Sequence, residues 1–207
     1  MRLAITLSLI ALAAFVLALE TRAATYPPLD KVASTFAGRP IEATCPTPAE
    51  WEAHPAVRGY NVPGSPAPLA LTHYQGGVPV YMWLSPPACG LLVAYSALLA
   101  TPSKPCGYAR GGAPARYYLE YARRCAKPEL PADPTGETQL RTAAALLALV
   151  HEAFHMSGIR DEGEAECRAI RSVEQAARLL GARRPSAIVE LARRVHASAP
   201  PTYRSVC

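Results

Sequence analysis

Three helical segments follow one another in the C-terminal part of the chain. The first and the third are preceded by a capping residue or a proline: Asp133 with Pro134 before the first helix, and Pro185 before the third. The first two end at glycines, Gly158 and Gly181, which can adopt the left-handed backbone that closes a helix. The predicted helices are Pro134–Ser157, about Asp161–Leu180, and a third that begins at Ser186.

The first predicted helix contains "HEAFH", in which His151 and His155 stand four residues apart. This spacing places both imidazoles on one helix face, within reach of a single ion. Glu152 lies about 100° round the helix from His151, where it can contact a metal-bound water without being a ligand. Two neutral imidazoles, one further ligand and an open position are what a catalytic Zn²⁺ requires. The motif predicts His151 and His155 as metal ligands and Glu152 as the catalytic base.

Three acidic residues after Gly158 are candidates for the third ligand. Asp161 and Glu164 have the spacing of a reciprocal capping box, which gives Asp161 a structural role at a helix start. Glu162 and Glu166 stand one turn apart on one face, so a metal-facing Glu162 brings Glu166 near the histidines, where it could orient a ring N–H. We expect Glu162 to be the ligand, with Asp161 and Glu166 as open alternatives.

Between Thr138 and about Ala177 the chain resembles the zincins, the HExxH zinc metallopeptidases. "HEAFHMSGIRD" fits the metzincin pattern with Gly158 and Asp161, whereas "EGEAECRA" resembles the gluzincin run with Glu162 in the ligand place. The resemblance implies a zinc-dependent peptidase that acts on a peptide or protein substrate.

Further details belong to this resemblance. The end of the chain, Tyr203 to Cys207, is similar to that of small secreted bacterial proteins, and Tyr203 could supply an oxyanion donor as a downstream tyrosine does in some zincins. Only six residues separate His155 from Glu162, fewer than in the usual gluzincin. The strand "VPVYMWLS" could be the edge along which a zincin holds an extended peptide.

The segment from Ala24 to about Gly77 is proline-rich, so loops and short strands are expected there rather than helices. "PLALTHY" and "VPVYMWLS" flank a glycine turn and predict a hairpin, in which Pro79 indicates that at least one strand is an edge. "ACGLLVAYSALLA" predicts a buried helix over Ala88–Ala100. The expected fold class is α+β: one domain over 24–207, with a loop- and hairpin-rich N-terminal part and three C-terminal helices carrying the HExxH zinc site.

Residues 1–23 read as a signal peptide, with Arg2 before an apolar run and Ala23 at a serviceable cleavage position. The predicted location is secreted, either extracellular or periplasmic, and membrane contact is expected only if the apolar segment is retained as an anchor. All six cysteines follow this segment, and no two have the Cys-x-x-Cys spacing of a zinc knuckle. We expect three disulfides, with a local Cys106–Cys125 pair preferred.

The net charge of +5 is mild, and no block of like charges occurs, so a nucleic-acid partner is not expected. His54, His73 and His196 lack partners at ligand spacing and are expected to be surface or hydrogen-bonded structural histidines. The function expected is a secreted zinc-dependent peptidase. The alternatives are an exported zinc-containing structural or binding protein without hydrolytic activity, and a helix pair that binds no metal.

Overall fold

The computed structural model describes residues 24–59, 68–100, 136–183 and 185–204. This part of the chain is α+β, as expected, and mostly helical. Its strands are β1 (Ala24–Thr25), β2 (Ala43–Cys45), β3 (Ala70–Gln75) and β4 (Val78–Leu84). Its helices are α1 (Pro27–Ala37), α2 (Pro48–Ala53), α3 (Pro55–Gly59), α4 (Pro86–Ala100), α5 (Glu137–Met156), α6 (Glu162–Leu179), α7 (Ser186–Ser198) and α8 (Pro201–Arg204).

The four strands form one sheet in the order β1-β2-β4-β3. The predicted hairpin is confirmed: β3 and β4 are antiparallel, and Gly76 and Gly77 turn between them at φ values of 59° and 80°. A tight hairpin turn needs this left-handed backbone, which glycine adopts without strain. β2 pairs in parallel with β4 at Met82 and Trp83. Pro79 therefore lies in the part of β4 that has β3 on one side and no described strand on the other. On the side without a strand, the missing N–H of proline costs no hydrogen bond of the sheet.

The proline-rich N-terminal segment is more helical than predicted. Loops and short strands were the expectation for it, but α1, α2 and α3 occupy much of its length. The prediction is wrong because Pro27, Pro48 and Pro55 each stand in the first turn of a helix, where a missing N–H has no intrahelical partner to lose. Thr47 and Glu50 also form a reciprocal capping box at the start of α2.

Helix α5 is the centre of the core. It packs against α1, α4, α6 and α7 and against both strands of the hairpin. Leu146, Leu149 and Val150 of α5 are fully buried, as are Leu92 of α4 and Val173 of α6. Burying a side chain of this size contributes about 1.5–3 kcal/mol. The buried helix predicted over Ala88–Ala100 is confirmed as α4.

The limits of the C-terminal helices agree with the sequence except at the first start. α5 begins at Glu137 rather than at Pro134, because Gly136 has a φ of 66°, a left-handed conformation that a continuing helix cannot contain. Asp133, the predicted N-cap, lies outside the described residues. α6 begins and ends within about a residue of its predicted limits, and α7 begins at Ser186 as predicted. The short α8 is an addition that the sequence patterns do not predict.

A disulfide joins Cys45 at the end of β2 to Cys89 in α4. Cys167 of α6 is disulfide-bonded too, and no cysteine in the described segments is free. Because disulfides persist in oxidising compartments, the Cys45–Cys89 bond indicates a non-cytoplasmic location. The preferred Cys106–Cys125 pair and the predicted signal peptide lie outside the described residues. Among the described helices, none combines the length and the apolar character needed to cross a membrane.

Candidate metal centre

The candidate site lies where the end of α5 turns into the start of α6. Gly158, at a φ of 102°, lets the chain reverse after Met156, and its N–H donates to the carbonyl of His155 at 2.9 Å. Asp161 then caps α6 by accepting the N–H of Glu164 at 2.7 Å. Because this connection is short, the first turn of α6 lies beside the last two turns of α5.

The turn brings together His151, His155 and Glu162. The Nε2 atom of His151 lies 2.9 Å from Nε2 of His155 and 3.0 Å from Oε2 of Glu162. The third side of the triangle, from His155 Nε2 to Glu162 Oε2, measures 3.4 Å. Tetrahedral ligands at about 2.0–2.2 Å from a zinc ion stand about 3.3–3.6 Å from one another, so a bound ion would spread the two shorter sides slightly. The three side chains therefore form a group that could hold a metal ion.

The tautomers of the two histidines follow from the partners of their other ring nitrogens. Nδ1 of His155 lies 2.7 Å from the carbonyl oxygen of Ile159, and Nδ1 of His151 lies 3.1 Å from Oε2 of Glu166. Carbonyl and carboxylate oxygens only accept, so both Nδ1 atoms carry the proton. In the neutral imidazoles both Nε2 atoms then have a free lone pair, and these lone pairs point at one another and at the Glu162 carboxylate. A cation at their centre satisfies all three atoms.

The closeness of these imidazoles and carboxylates also shifts their pKa values. Burial alone would lower the pKa of His151, but its hydrogen bonds with Glu162 and Glu166, together with nearby Glu152, raise it to about 9. The pKa of His155 is raised too, because the contact with Glu162 outweighs the opposing effect of burial. The hydrogen bonds with both imidazoles hold the pKa of Glu162 far below its usual range. Without a metal, the site therefore binds protons in its place.

Glu166 stands behind His151, on the side away from the three converging atoms. Its Oε2 accepts from Nδ1 of His151, and its Oε1 lies 3.1 Å from Nδ1 of His196, which comes from the last turn of α7. The contact expected between Glu166 and a histidine ring N–H is thus present. His196 is hydrogen-bonded, as expected, but its partner belongs to the site, and no sequence signal links two residues 30 positions apart.

Asp161 does not join the group of converging side chains. Its carboxylate accepts the Glu164 N–H, which is one half of the predicted capping box. The other half is not formed, since the Glu164 carboxylate pairs with Arg168 at 2.6 Å instead.

A cavity of about 860 Å³ opens beside the three side chains. Glu152 lines it, and burial of its carboxyl group raises its pKa, while the two neighbouring histidines act in the opposite direction. Apolar side chains form much of the remaining wall, from β3, α5 and the α7–α8 region: Leu69, Leu71, Ala144, Leu147, Ala148 and Val195. Tyr203 of α8 also lines the cavity, and its ring centroid lies 5.7 Å from that of His151.

The hairpin supplies cavity residues that the sequence does not point to. Thr72 and Tyr74 of β3 line the cavity, and the Thr72 hydroxyl donates to the backbone carbonyl of Glu152 at 3.3 Å. Arg160 lies across from them and donates to the carbonyl of Gly77 at 2.6 Å. The strand beside the site is therefore β3, at the edge of the sheet. The expectation that "VPVYMWLS" is this edge is wrong, because that strand is β4 and β2 pairs with it.

His54 and His73 lie away from the site, in an aromatic cluster on β3, β4 and α2. The ring of His73 stacks on Tyr81 at 4.6 Å, and His54 packs at 5.3 Å from Trp83. Nε2 of His54 lies 3.3 Å from the Tyr81 hydroxyl. Both histidines therefore pack among aromatic rings, and neither lines the cavity beside the candidate site.

Comparison of the chain with protein-family models, with curated proteins and with solved structures finds no match.

Proposed function

We propose that the protein is an exported zinc-dependent peptidase, in which His151, His155 and Glu162 hold the metal and Glu152 is the general base. The observation that carries this proposal is the triangle of two imidazole nitrogens and one carboxylate oxygen, with sides of 2.9, 3.0 and 3.4 Å. Two Nε2 atoms and a carboxylate oxygen held this close, with both Nδ1 atoms engaged elsewhere, need a positive charge among them, which protons or a bound metal ion would supply.

The donor set, together with the HExxH spacing of its two histidines, favours zinc. Two imidazoles and one carboxylate match a catalytic zinc site, which keeps a fourth position open on the cavity side. Glu162 leaves that side accessible, since its side chain is 51% exposed whereas the histidines are buried. Zinc bound there would lower the pKa of a coordinated water to about 7 and polarise a carbonyl group.

Glu152 is suited to move the proton that hydrolysis requires. It follows His151 directly on α5 and lines the same cavity, so its carboxylate can accept a proton from the attacking water. The same carboxyl group can then donate that proton to the leaving amine nitrogen as the peptide bond breaks. Burial raises the pKa of the Glu152 carboxyl group toward neutral pH. A raised pKa suits a group that must first accept a proton from water and then donate it to the amine.

Two features of the cavity suit a peptide. β3 has no strand on its outer side in the described part of the sheet, so an extended chain could pair with its main chain. The wall beside the metal ligands includes Ala144, Leu147 and Ala148, which offer room for an apolar side chain of the substrate.

Export fits the Cys45–Cys89 disulfide and places the activity outside the cell or in a periplasm.

Glu152→Gln is the experiment that tests the reaction. The substitution leaves both imidazoles and Glu162 in place and removes only the proton acceptor, so zinc content should be unchanged and hydrolysis of a mixed peptide library should be lost. Glu164→Gln, on the exposed side of the α6 start, is the matched control and should keep both zinc and activity. Bound zinc without hydrolysis in the unmutated protein would favour the zinc-containing structural or binding protein instead.

A further inference from the structure

Glu166 is a buried carboxylate held between two imidazoles. Each of its oxygens lies 3.1 Å from an Nδ1 atom, Oε2 from that of His151 and Oε1 from that of His196. The side chain of Glu166 is 7% exposed and that of His196 is 17% exposed. A buried carboxylate is tolerated only when its oxygens are satisfied, so both contacts matter to this group.

We propose that His196 is a positioning residue of the metal site: its Nδ1–H fixes the Glu166 carboxylate, and that carboxylate orients the imidazole of His151. The inference rests on the proposed metal site and extends it by one residue. His196 contacts neither the metal ligands' converging atoms nor the cavity, so its effect passes through Glu166.

The geometry gives a physical reason for this role. The last torsion of a glutamate side chain is broad, so a carboxylate with one partner at one oxygen can still rotate. A second N–H donor at the other oxygen removes that freedom and holds Oε2 where it accepts from His151. The Nδ1–H of His151 is then fixed, and its Nε2 lone pair stays directed at the metal position.

His196 also ties the site to a third helix. His151 lies on α5, Glu166 on α6 and His196 in the last turn of α7, and α7 packs against both other helices. An ordinary polar contact between helices would show the same distance but would act only on folding. The test must therefore separate metal affinity from stability.

The experiment compares three substitutions at this position in the full exported protein: His196→Ala, His196→Asn and His196→Gln. The amide nitrogen of asparagine stands as many bonds from Cβ as Nδ1 does, whereas that of glutamine stands one bond further. Zinc dissociation constants are measured by competition with a chromophoric chelator, visible spectra are taken after loading with cobalt(II), and each metal-free protein is melted. Arg194→Ala, an exposed change on the same helix, is the control.

We expect His196→Ala to weaken zinc binding by about 10-fold, the lower end of the range for outer partners of metal ligands, and to change the cobalt(II) spectrum. His196→Asn should restore the affinity to within about threefold, and His196→Gln should not. Arg194→Ala should match the unmutated protein.

Unchanged affinity in His196→Ala overturns the inference. So does equal weakening in the alanine and asparagine variants together with equally lowered melting temperatures, which would mark a structural role. If the alanine variant does not fold, the asparagine and glutamine variants decide, and equal affinities contradict the proposal. Absence of zinc from the unmutated protein would overturn the proposed function itself, whereas failure of the inference alone leaves that zinc in place.

Discussion

The Nε2 atoms of His151 and His155 lie 2.9 Å apart, and each imidazole has its Nδ1–H directed at an oxygen on the opposite side of its ring. Two lone pairs that face each other at this distance, with a carboxylate as third neighbour, are stabilised by a positive charge between them. That relationship is the physical basis for the proposed metal site, and substitutions of the surrounding acids test it one residue at a time.

The acids after Gly158 should show three different behaviours toward zinc. Glu162→Ala should lose most of the metal, because it removes one of three ligands. Glu166→Ala should weaken binding by about 10- to 100-fold, because it leaves His151 without its orienting partner. Asp161→Ala should keep the metal and cost about 1 kcal/mol of stability through the lost cap. Elemental analysis beside denaturant melts checks all three, and loss of zinc in Asp161→Ala with retention in Glu162→Ala would contradict the ligand set.

Zinc affinity should rise with pH between about 6.5 and 9. In protein stripped of metal, contacts with Glu162 and Glu166 raise the pKa of His151 to about 9, so the imidazole is protonated at neutral pH. Zinc needs the neutral imidazole and must displace that proton, so the apparent dissociation constant should fall by about tenfold per pH unit in this window and level off above it. Chelator competition at several pH values measures this, and an affinity independent of pH would count against the coupling.

Much of the site could be predicted from the sequence because its signals are local. The spacing of His151 and His155 fixes one helix face, and the glycine after α5 with Asp161 before α6 fixes where the chain turns. The acidic side chains in the first turns of α6 must then lie close to the histidine face of α5 or point into solvent. What the sequence leaves open is which acid joins the two histidines. In the structure Glu162 does so, whereas Asp161 caps α6 and Glu166 contacts Nδ1 of His151.

The parts that could not be predicted depend on position or on distant contacts. A proline-rich composition is typical both of loops and of first helical turns. Only the position in the folded chain shows that Pro27, Pro48 and Pro55 stand at helix starts. The edge position of β3 depends on which strand β2 joins. The contact of His196 with Glu166 joins two helices and has no spacing by which it could be recognised.

The Cys45–Cys89 disulfide should stabilise the fold without being needed for metal binding. It closes a loop with a sequence separation of 44, for which loop-closure entropy gives about 4 kcal/mol. The double variant Cys45→Ala/Cys89→Ala should therefore unfold at lower denaturant, with a loss of about 2–4 kcal/mol, and should still bind zinc. A double variant with unchanged unfolding midpoint would show that the bond does not constrain the chain as expected.

The apolar wall should decide which peptides fit. Ala148 lies on the face of α5 that carries His151 and His155, and it lines the cavity. Ala148→Phe adds a ring there and should shift cleavage of a peptide library toward smaller side chains next to the cleaved bond, with zinc content unchanged. Cleavage preferences identical to those of the unmutated protein would mean that the substrate side chain lies elsewhere.

The central claim, one zinc on His151, His155 and Glu162, is tested most directly by X-ray diffraction from crystals of the protein purified without chelator, with data collected on both sides of the zinc absorption edge. We expect a single strong anomalous peak at about 2.0–2.2 Å from the Nε2 atoms of both histidines and from a carboxylate oxygen of Glu162. A map with no peak at these three atoms, or with a peak on Asp161 and not on Glu162, would contradict it.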